Sequence, residues 1–83
     1  MSRVRIPPTL RTETGGRAEV EADGASVRDL LDDLIARFPA LRGRLEHANV
    51  YVDRQDIRTL EGLDTEVAEG TEIILLPAMA GGV

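Results

Sequence analysis

One amphipathic pattern constrains the fold of this chain more than any other feature. Six apolar side chains recur at helical spacing from Val27 to Phe38, and most of the positions between them are charged. Ser26, followed three residues later by Asp29, is typical of a capped helix start, because a serine oxygen accepts a backbone N–H of the first turn. Pro39 disfavours helical backbone in the residue before it and so ends the helix. The sequence therefore predicts one helix whose apolar face packs against another element.

Segments with the character of strands lie on both sides of this helix. The predicted strands are, in chain order, 3–6, 18–22, 49–53, 56–58 and 73–76. Thr14-Gly15-Gly16, between the first two, predicts a hairpin turn, and 41–45 predicts a short helical turn. The order β-β-α-β-β-β favours an α+β fold of the β-grasp (ubiquitin-like) type, with a mixed sheet of four to five strands packed on one main helix.

The last predicted strand is a continuous apolar run, Ile73-Ile74-Leu75-Leu76, bounded by Pro77. Such a run indicates a central strand covered on both faces, or a strand whose open face meets a partner. Side chains alternate between the two faces of a strand, so we expect Ile73 and Leu75 to lie under the helix. Ile74 and Leu76 then share the opposite face, which is the candidate surface for docking a partner.

The composition excludes several kinds of chemistry. The chain has no cysteine, so its side chains can form neither a disulfide nor a persulfide, and all ten basic residues are arginines, which leaves no lysine for a Schiff base or for self-conjugation. A net charge of −5 disfavours binding to nucleic acid. The sequence shows neither a signal peptide nor a membrane-spanning run, so we expect a cytoplasmic protein that does not bind membranes.

Candidate catalytic and metal-binding side chains are few. His47 is the only histidine, and we interpret it as a bystander rather than a base. The carboxylates of Asp29, Asp32 and Asp33 recur at helical spacing and are interpreted as a solvated helix face. We therefore predict no catalytic residue, no metal site and no cofactor bound by this chain.

The C-terminal segment is the part of the chain that folding does not explain. We expect a single domain over residues 1–77 and a flexible tail over 78–83, in which small side chains continue past the last strand. The tail is either a frayed terminus or a chemically active one.

Several segments, taken in their order along the chain, resemble a known family. From Glu69 to Gly82 an acidic-Gly turn leads into a last strand, a proline and a Gly-Gly pair, and this resembles the C-terminus of the ThiS/MoaD sulfur carriers. The segments 6–11, 14–16 and 49–58 resemble more closely the CysO-like carriers of cysteine biosynthesis. The resemblance spans nearly the whole chain and implies a carrier rather than an enzyme.

The resemblance also implies a chemistry for the tail. The carboxylate of Gly82 would be adenylated with ATP by an E1-like enzyme and converted to a thiocarboxylate, while Gly81, Ala80 and Met79 line the partner's channel. Val83 follows the glycine pair, so a peptidase, by resemblance a zinc-dependent one of the JAMM type, would have to remove it first. The implied sulfur acceptor is a PLP-dependent cysteine synthase, and the zinc and PLP belong to these partners.

Three other functions remain open at the level of the sequence. The sulfur acceptor could instead serve thiamin, molybdopterin or secondary-metabolite biosynthesis. The chain could also be a ubiquitin-like modifier of other proteins. In a third interpretation it is an interaction module whose tail has no chemical role.

Overall fold

The computed structural model describes residues 1–45 and 48–76. Five strands form one sheet: β1 (Ser2–Arg5), β2 (Glu19–Ala22), β3 (Asn49–Val52), β4 (Gln55–Asp56) and β5 (Glu72–Leu76). The strand order is β2-β1-β5-β3-β4, with β5 in the centre, parallel to β1 and antiparallel to β3. One α-helix, α1 (Val27–Arg37), packs on a single face of this sheet. The prediction of a mixed sheet on one main helix is confirmed.

The core lies between α1 and the sheet, and alternate strand residues supply it. The hydrophobic side chains with at most 1% exposure are Val4, Ala22, Val27, Leu30, Leu34, Leu41, Ile73 and Leu75. The expected period-2 pattern therefore holds in β5, where Ile73 and Leu75 are buried and Leu76 is exposed.

Helix α1 starts where the capping pattern predicts. The Ser26 Oγ accepts the Asp29 N–H at 3.2 Å, which satisfies a donor that the first helical turn leaves free. The helix ends at Arg37, one residue earlier than predicted, because Phe38 precedes Pro39 and takes φ −132° and ψ 80°. Phe38 therefore lies outside the helix and is only partly buried.

The turn predicted at Thr14-Gly15-Gly16 is present, with Gly15 and Gly16 both at positive φ, but the connection between β1 and β2 is longer than a hairpin turn alone. A 3₁₀ helix, Pro8–Thr14, separates β1 from β2, and Gly15 ends it with φ +70°. Proline fixes φ and carries no N–H, so Pro8 suits the first turn of a helix better than it suits a ladder. The two strands still pair antiparallel, with Val4 opposite Val20, but the predicted second strand is too long, because Ala18 is exposed and lies before β2.

Short 3₁₀ helices account for two further differences from the predicted elements. The strand expected at 56–58 is instead β4 (Gln55–Asp56) followed by a 3₁₀ helix, Ile57–Thr59, because the Asp56 carboxylate accepts the Arg58 N–H and caps that turn. The helical turn expected at 41–45 is a 3₁₀ helix over Pro39–Leu41. A further 3₁₀ helix, Gly62–Asp64, was not predicted.

Candidate functional site

The sheet face opposite α1 carries the candidate docking surface. The register places Arg5, Ile74 and Tyr51 side by side on β1, β5 and β3, with Leu76 two residues further along β5. Ile74 and Tyr51 are half-buried, and 42% of Leu76 is exposed. We call Tyr51, Ile74 and Leu76 the open-face patch. It lies on the central strand, at the end from which the C-terminal tail continues.

Charged side chains border the open-face patch on both sides. On β1, the Arg5 Nε lies 3.7 Å from a Glu19 carboxylate oxygen on β2. Beyond β3, the Arg58 Nη2 lies 2.7 Å from the Asp56 carboxylate. The hydrogen bond from the Arg58 side chain, followed by that from its N–H, holds the pKa of Asp56 below its usual value. The surface is thus an apolar centre with a charged rim, which is the usual composition of a protein interface.

Tyr51 was not predicted to be part of this surface. The alternation of side chains along β3 could have indicated it. Val50 and Val52 are buried, so Tyr51 between them lies on the opposite face of the sheet. Tyr51 lies beside Ile74 because β3 is the antiparallel neighbour of β5, and the pairing of distant strands cannot be read from a single sequence.

The predicted tail residues lie outside the described residues. This applies to Met79, Ala80, Gly81, Gly82 and Val83, and also to His47. The structure describes the chain up to Leu76, so it fixes where the tail starts.

One of the three carboxylates on the predicted solvated face of α1 makes structural hydrogen bonds. Asp29 and Asp32 are exposed, whereas Asp33 accepts the Asp23 N–H at 2.8 Å and the Arg37 Nε at 2.7 Å. These two hydrogen bonds, that of Asp23 first, hold the pKa of Asp33 below its usual value. Within residues 1–45 and 48–76, no three His, Cys, Asp or Glu side chains are grouped so as to hold a metal ion. No helix of the described part is long and apolar enough to cross a membrane.

The order β2-β1-β5-β3-β4, with the helix placed between β2 and β3, defines a β-grasp domain of the ubiquitin-like class. Solved structures agree with this class. A chain of the Amycolatopsis orientalis BexX/CysO complex superposes with a TM-score of 0.88 at 40% identity, covering 94% of this chain and 96% of that one. The small archaeal modifier protein 1 of Methanosarcina acetivorans superposes with a TM-score of 0.87 at 28% identity, covering 98% and 95%.

Comparison of sequences gives the family. Residues 4–82 match the model of the ThiS family. The chain is 36% identical to the sulfur carrier protein CysO of Mycobacterium tuberculosis in an alignment 89 positions long, which covers 95% of this chain and 96% of the relative. The chain belongs to the ThiS family of ubiquitin-like sulfur carriers and resembles its CysO-like members.

Proposed function

We propose that this protein carries sulfur as a thiocarboxylate on Gly82, after removal of Val83, and delivers it for cysteine biosynthesis. The observation that carries the proposal is the position of the open-face patch. The central strand presents Ile74 and Leu76 to a partner and runs directly into the segment that holds Gly81 and Gly82. A partner docked on this patch therefore receives the tail at a fixed starting point.

The length and composition of the tail suit this role. From Ala78 to Gly82 an extended chain reaches about 17 Å, enough to enter an active site while the domain stays outside. Glycine has no Cβ, so Gly81 and Gly82 can pass a narrow channel and leave the terminal carbonyl open to attack. Val83 would move the carboxylate by about 3.5 Å and add a β-branched side chain beside it. The proposal therefore includes a peptidase, by family resemblance of the zinc-dependent JAMM type.

The proposed chemistry takes place on partner enzymes. A Gly82 carboxylate oxygen attacks the α-phosphorus of ATP on an E1-like enzyme, and pyrophosphate leaves. A sulfur nucleophile then attacks the carbonyl carbon, and AMP leaves. When that nucleophile is a persulfide, a further thiol of the partner must reduce the acyl persulfide and become part of a disulfide. On a PLP-dependent cysteine synthase the thiocarboxylate sulfur takes the place of the leaving group of an activated serine. Hydrolysis of the resulting cysteinyl adduct releases cysteine and restores the Gly82 carboxylate.

A second function has a specific observation in its favour. The chain is 33% identical to the small archaeal modifier protein 3 of Haloferax volcanii over 67 residues, which cover 72% of this chain and 73% of the relative. A modifier would use the same adenylated Gly82 but pass it to an amine of another protein. The absence of lysine excludes chains of this protein linked through side-chain amides, since the chain offers no side-chain amine to a second copy.

The intact mass of the protein in its own cells separates these functions. A sulfur carrier loses Val83 and exchanges one oxygen for one sulfur. A modifier appears instead attached to other proteins, and a plain interaction module keeps Val83 and the unmodified mass. Recovery of only the unmodified 83-residue chain under sulfur-replete growth would contradict the carrier proposal.

A further inference from the structure

An apolar groove lies on the other side of the domain from the open-face patch. It has a volume of about 390 Å³ and runs between α1 and the segments that follow β3. Its apolar lining consists of Leu31, Ile35, Leu45, Ala48, Val50, Ile57 and Leu63, and two charged residues of α1, Arg28 and Asp32, complete the lining. Leu31 and Ile35 belong to the apolar stripe of α1 but are only partly buried, and 40% of Leu63 is exposed. Residues 1–45 and 48–76 thus leave part of the helix stripe uncovered.

The C-terminal tail starts beside this groove. The last residue of β5, Leu76, pairs with Asn49, and Ala48 of the groove lining directly precedes Asn49. The groove also lies on the side of the sheet to which Val50 and Leu75 point, which is the helix side. A chain that leaves β5 on this side reaches the groove within a few residues.

The composition of the tail matches the apolar part of the groove lining. Residues 77–83, Pro-Ala-Met-Ala-Gly-Gly-Val, contain no charged side chain. Fully extended, seven residues span about 24 Å, against a largest extent of 30 Å for the described part of the molecule. Met79 is the one long apolar side chain of the segment, and methionine adapts to irregular apolar surfaces because it is unbranched and has three rotatable bonds.

We propose that the tail of the same molecule, residues 77–83, binds in this groove and places the Met79 side chain against Leu31, Ile35 and Leu63. Because the tail is tethered at Leu76, its effective concentration at the groove is on the order of millimolar, so even a weak contact is populated. A tail held there is withdrawn from the open face on which a partner docks. The contact therefore competes with activation of Gly82.

The effect of the groove contact on the KM of the activating enzyme can be predicted. A partner that needs the free tail binds with an apparent affinity reduced by the fraction of molecules whose tail is free. Weakening the groove contact should therefore lower the KM for the activating enzyme about two- to tenfold and leave kcat unchanged. This kinetic consequence rests on the proposed function, whereas the contact itself does not.

Methyl NMR of the full-length chain tests the contact directly. The chain has two methionines, Met1 and Met79, so methyl-labelled protein gives two resonances that a Met1 substitution assigns. We expect NOEs from the Met79 methyl group to the methyl groups of Ile35 and Leu63, and we expect Leu63→Ser to remove them. Leu60→Ser is the matched control, because Leu60 is 39% exposed but does not line the groove, and it should change nothing.

Three results would overturn the inference. The first is a Met79 methyl group without NOEs to the groove. The second is an equal effect of the Leu63 and Leu60 substitutions. The third is a set of NOEs that disappears on dilution, which would make the occupant the tail of a second copy. If the contact is present and KM does not change in Leu63→Ser, the inference that the contact competes with activation of Gly82 is wrong. An activating enzyme that does not act on the wild-type chain contradicts the proposed function and leaves the NMR result standing.

Discussion

The substitution Leu76→Asp tests the docking role of the open-face patch. Complete burial of a leucine stabilises a complex by about 1.5 to 3 kcal/mol, and 42% of Leu76 is exposed in the free domain, so about 1 kcal/mol remains for a partner to gain. An aspartate also brings an unpaired carboxylate into the interface, which costs at least about 1 kcal/mol more. Together these predict a loss of about 2 kcal/mol or more, or about 30-fold in Kd for the E1-like enzyme.

Two control substitutions separate docking from folding and from charge. Leu75→Asp introduces the same carboxylate one residue earlier, at a side chain that is 1% exposed, and should unfold the domain. Leu60→Asp introduces it at a side chain of nearly equal exposure, 39%, that belongs to none of the five strands, and should bind as the parent does. Titration calorimetry gives Kd, and urea melts report folding. Equal Kd values for Leu76→Asp and Leu60→Asp would refute the docking surface, and unfolding of Leu76→Asp would place Leu76 in the core.

Three further predictions concern stability. Leu34→Ala should lower the free energy of unfolding by about 2 to 5 kcal/mol, and the Tm by about 10 to 25 °C, because Leu34 is completely buried in the centre of the stripe. Arg54→Gly should raise stability by about 1 kcal/mol, because Arg54 has φ +71° in the turn between β3 and β4. The Asp23 N–H and the Arg37 guanidinium lower the pKa of folded Asp33, so its contribution is complete above the unfolded pKa of about 4 and is lost as pH falls through the folded pKa. Asp33→Asn should therefore flatten the loss of stability that occurs as the pH falls below about 4.

Urea melts give the free energy of unfolding for all three, a thermal melt gives the Tm of Leu34→Ala, and each substitution has its own control. Asp32→Ala, at an exposed position of the same helix, should leave the midpoint almost unchanged, and a midpoint equal to that of Leu34→Ala would show that the stripe is not the core face. Arg54→Ala keeps the strain of a non-glycine residue at positive φ and should not stabilise, so equal gains from alanine and glycine would refute the strain argument. Asp32→Asn should keep the pH dependence of the parent, and a parallel curve for Asp33→Asn would contradict the assignment to Asp33.

Periodic and capping signals in the sequence were sufficient for the core elements. The helix start at Ser26, the burial of Leu34 and the alternation of β5 depend on neighbouring residues in the chain, and all three agree with the structure. Whether β5 is covered on both faces or has one open face could be decided only from the structure of the sheet. Only its helix side is buried, so the apolar run belongs to a strand with one open face.

The predictions failed where competing local interactions, or contacts between distant segments, determine the structure. Pro8 turned the predicted hairpin connection into a 3₁₀ helix, and the Asp56 cap did the same at 57–59. The placement of Tyr51 in the open-face patch and of Leu63 in the groove depends on contacts between distant segments, which a single sequence does not contain. For the same reason, the exposed carboxylate expected at Asp33 is in fact a hydrogen-bond acceptor for the loop before α1.

The central claim is that the Gly82 carboxylate becomes a thiocarboxylate once Val83 has been removed. Its most direct measurement is the intact mass of two purified chains, one ending at Gly82 and one at Val83, after each is incubated with the E1-like enzyme, ATP and a sulfur source. We predict that only the chain ending at Gly82 releases pyrophosphate and exchanges one oxygen for one sulfur. Equal conversion of both chains would contradict the role of Val83, and conversion of neither would contradict the carrier function itself.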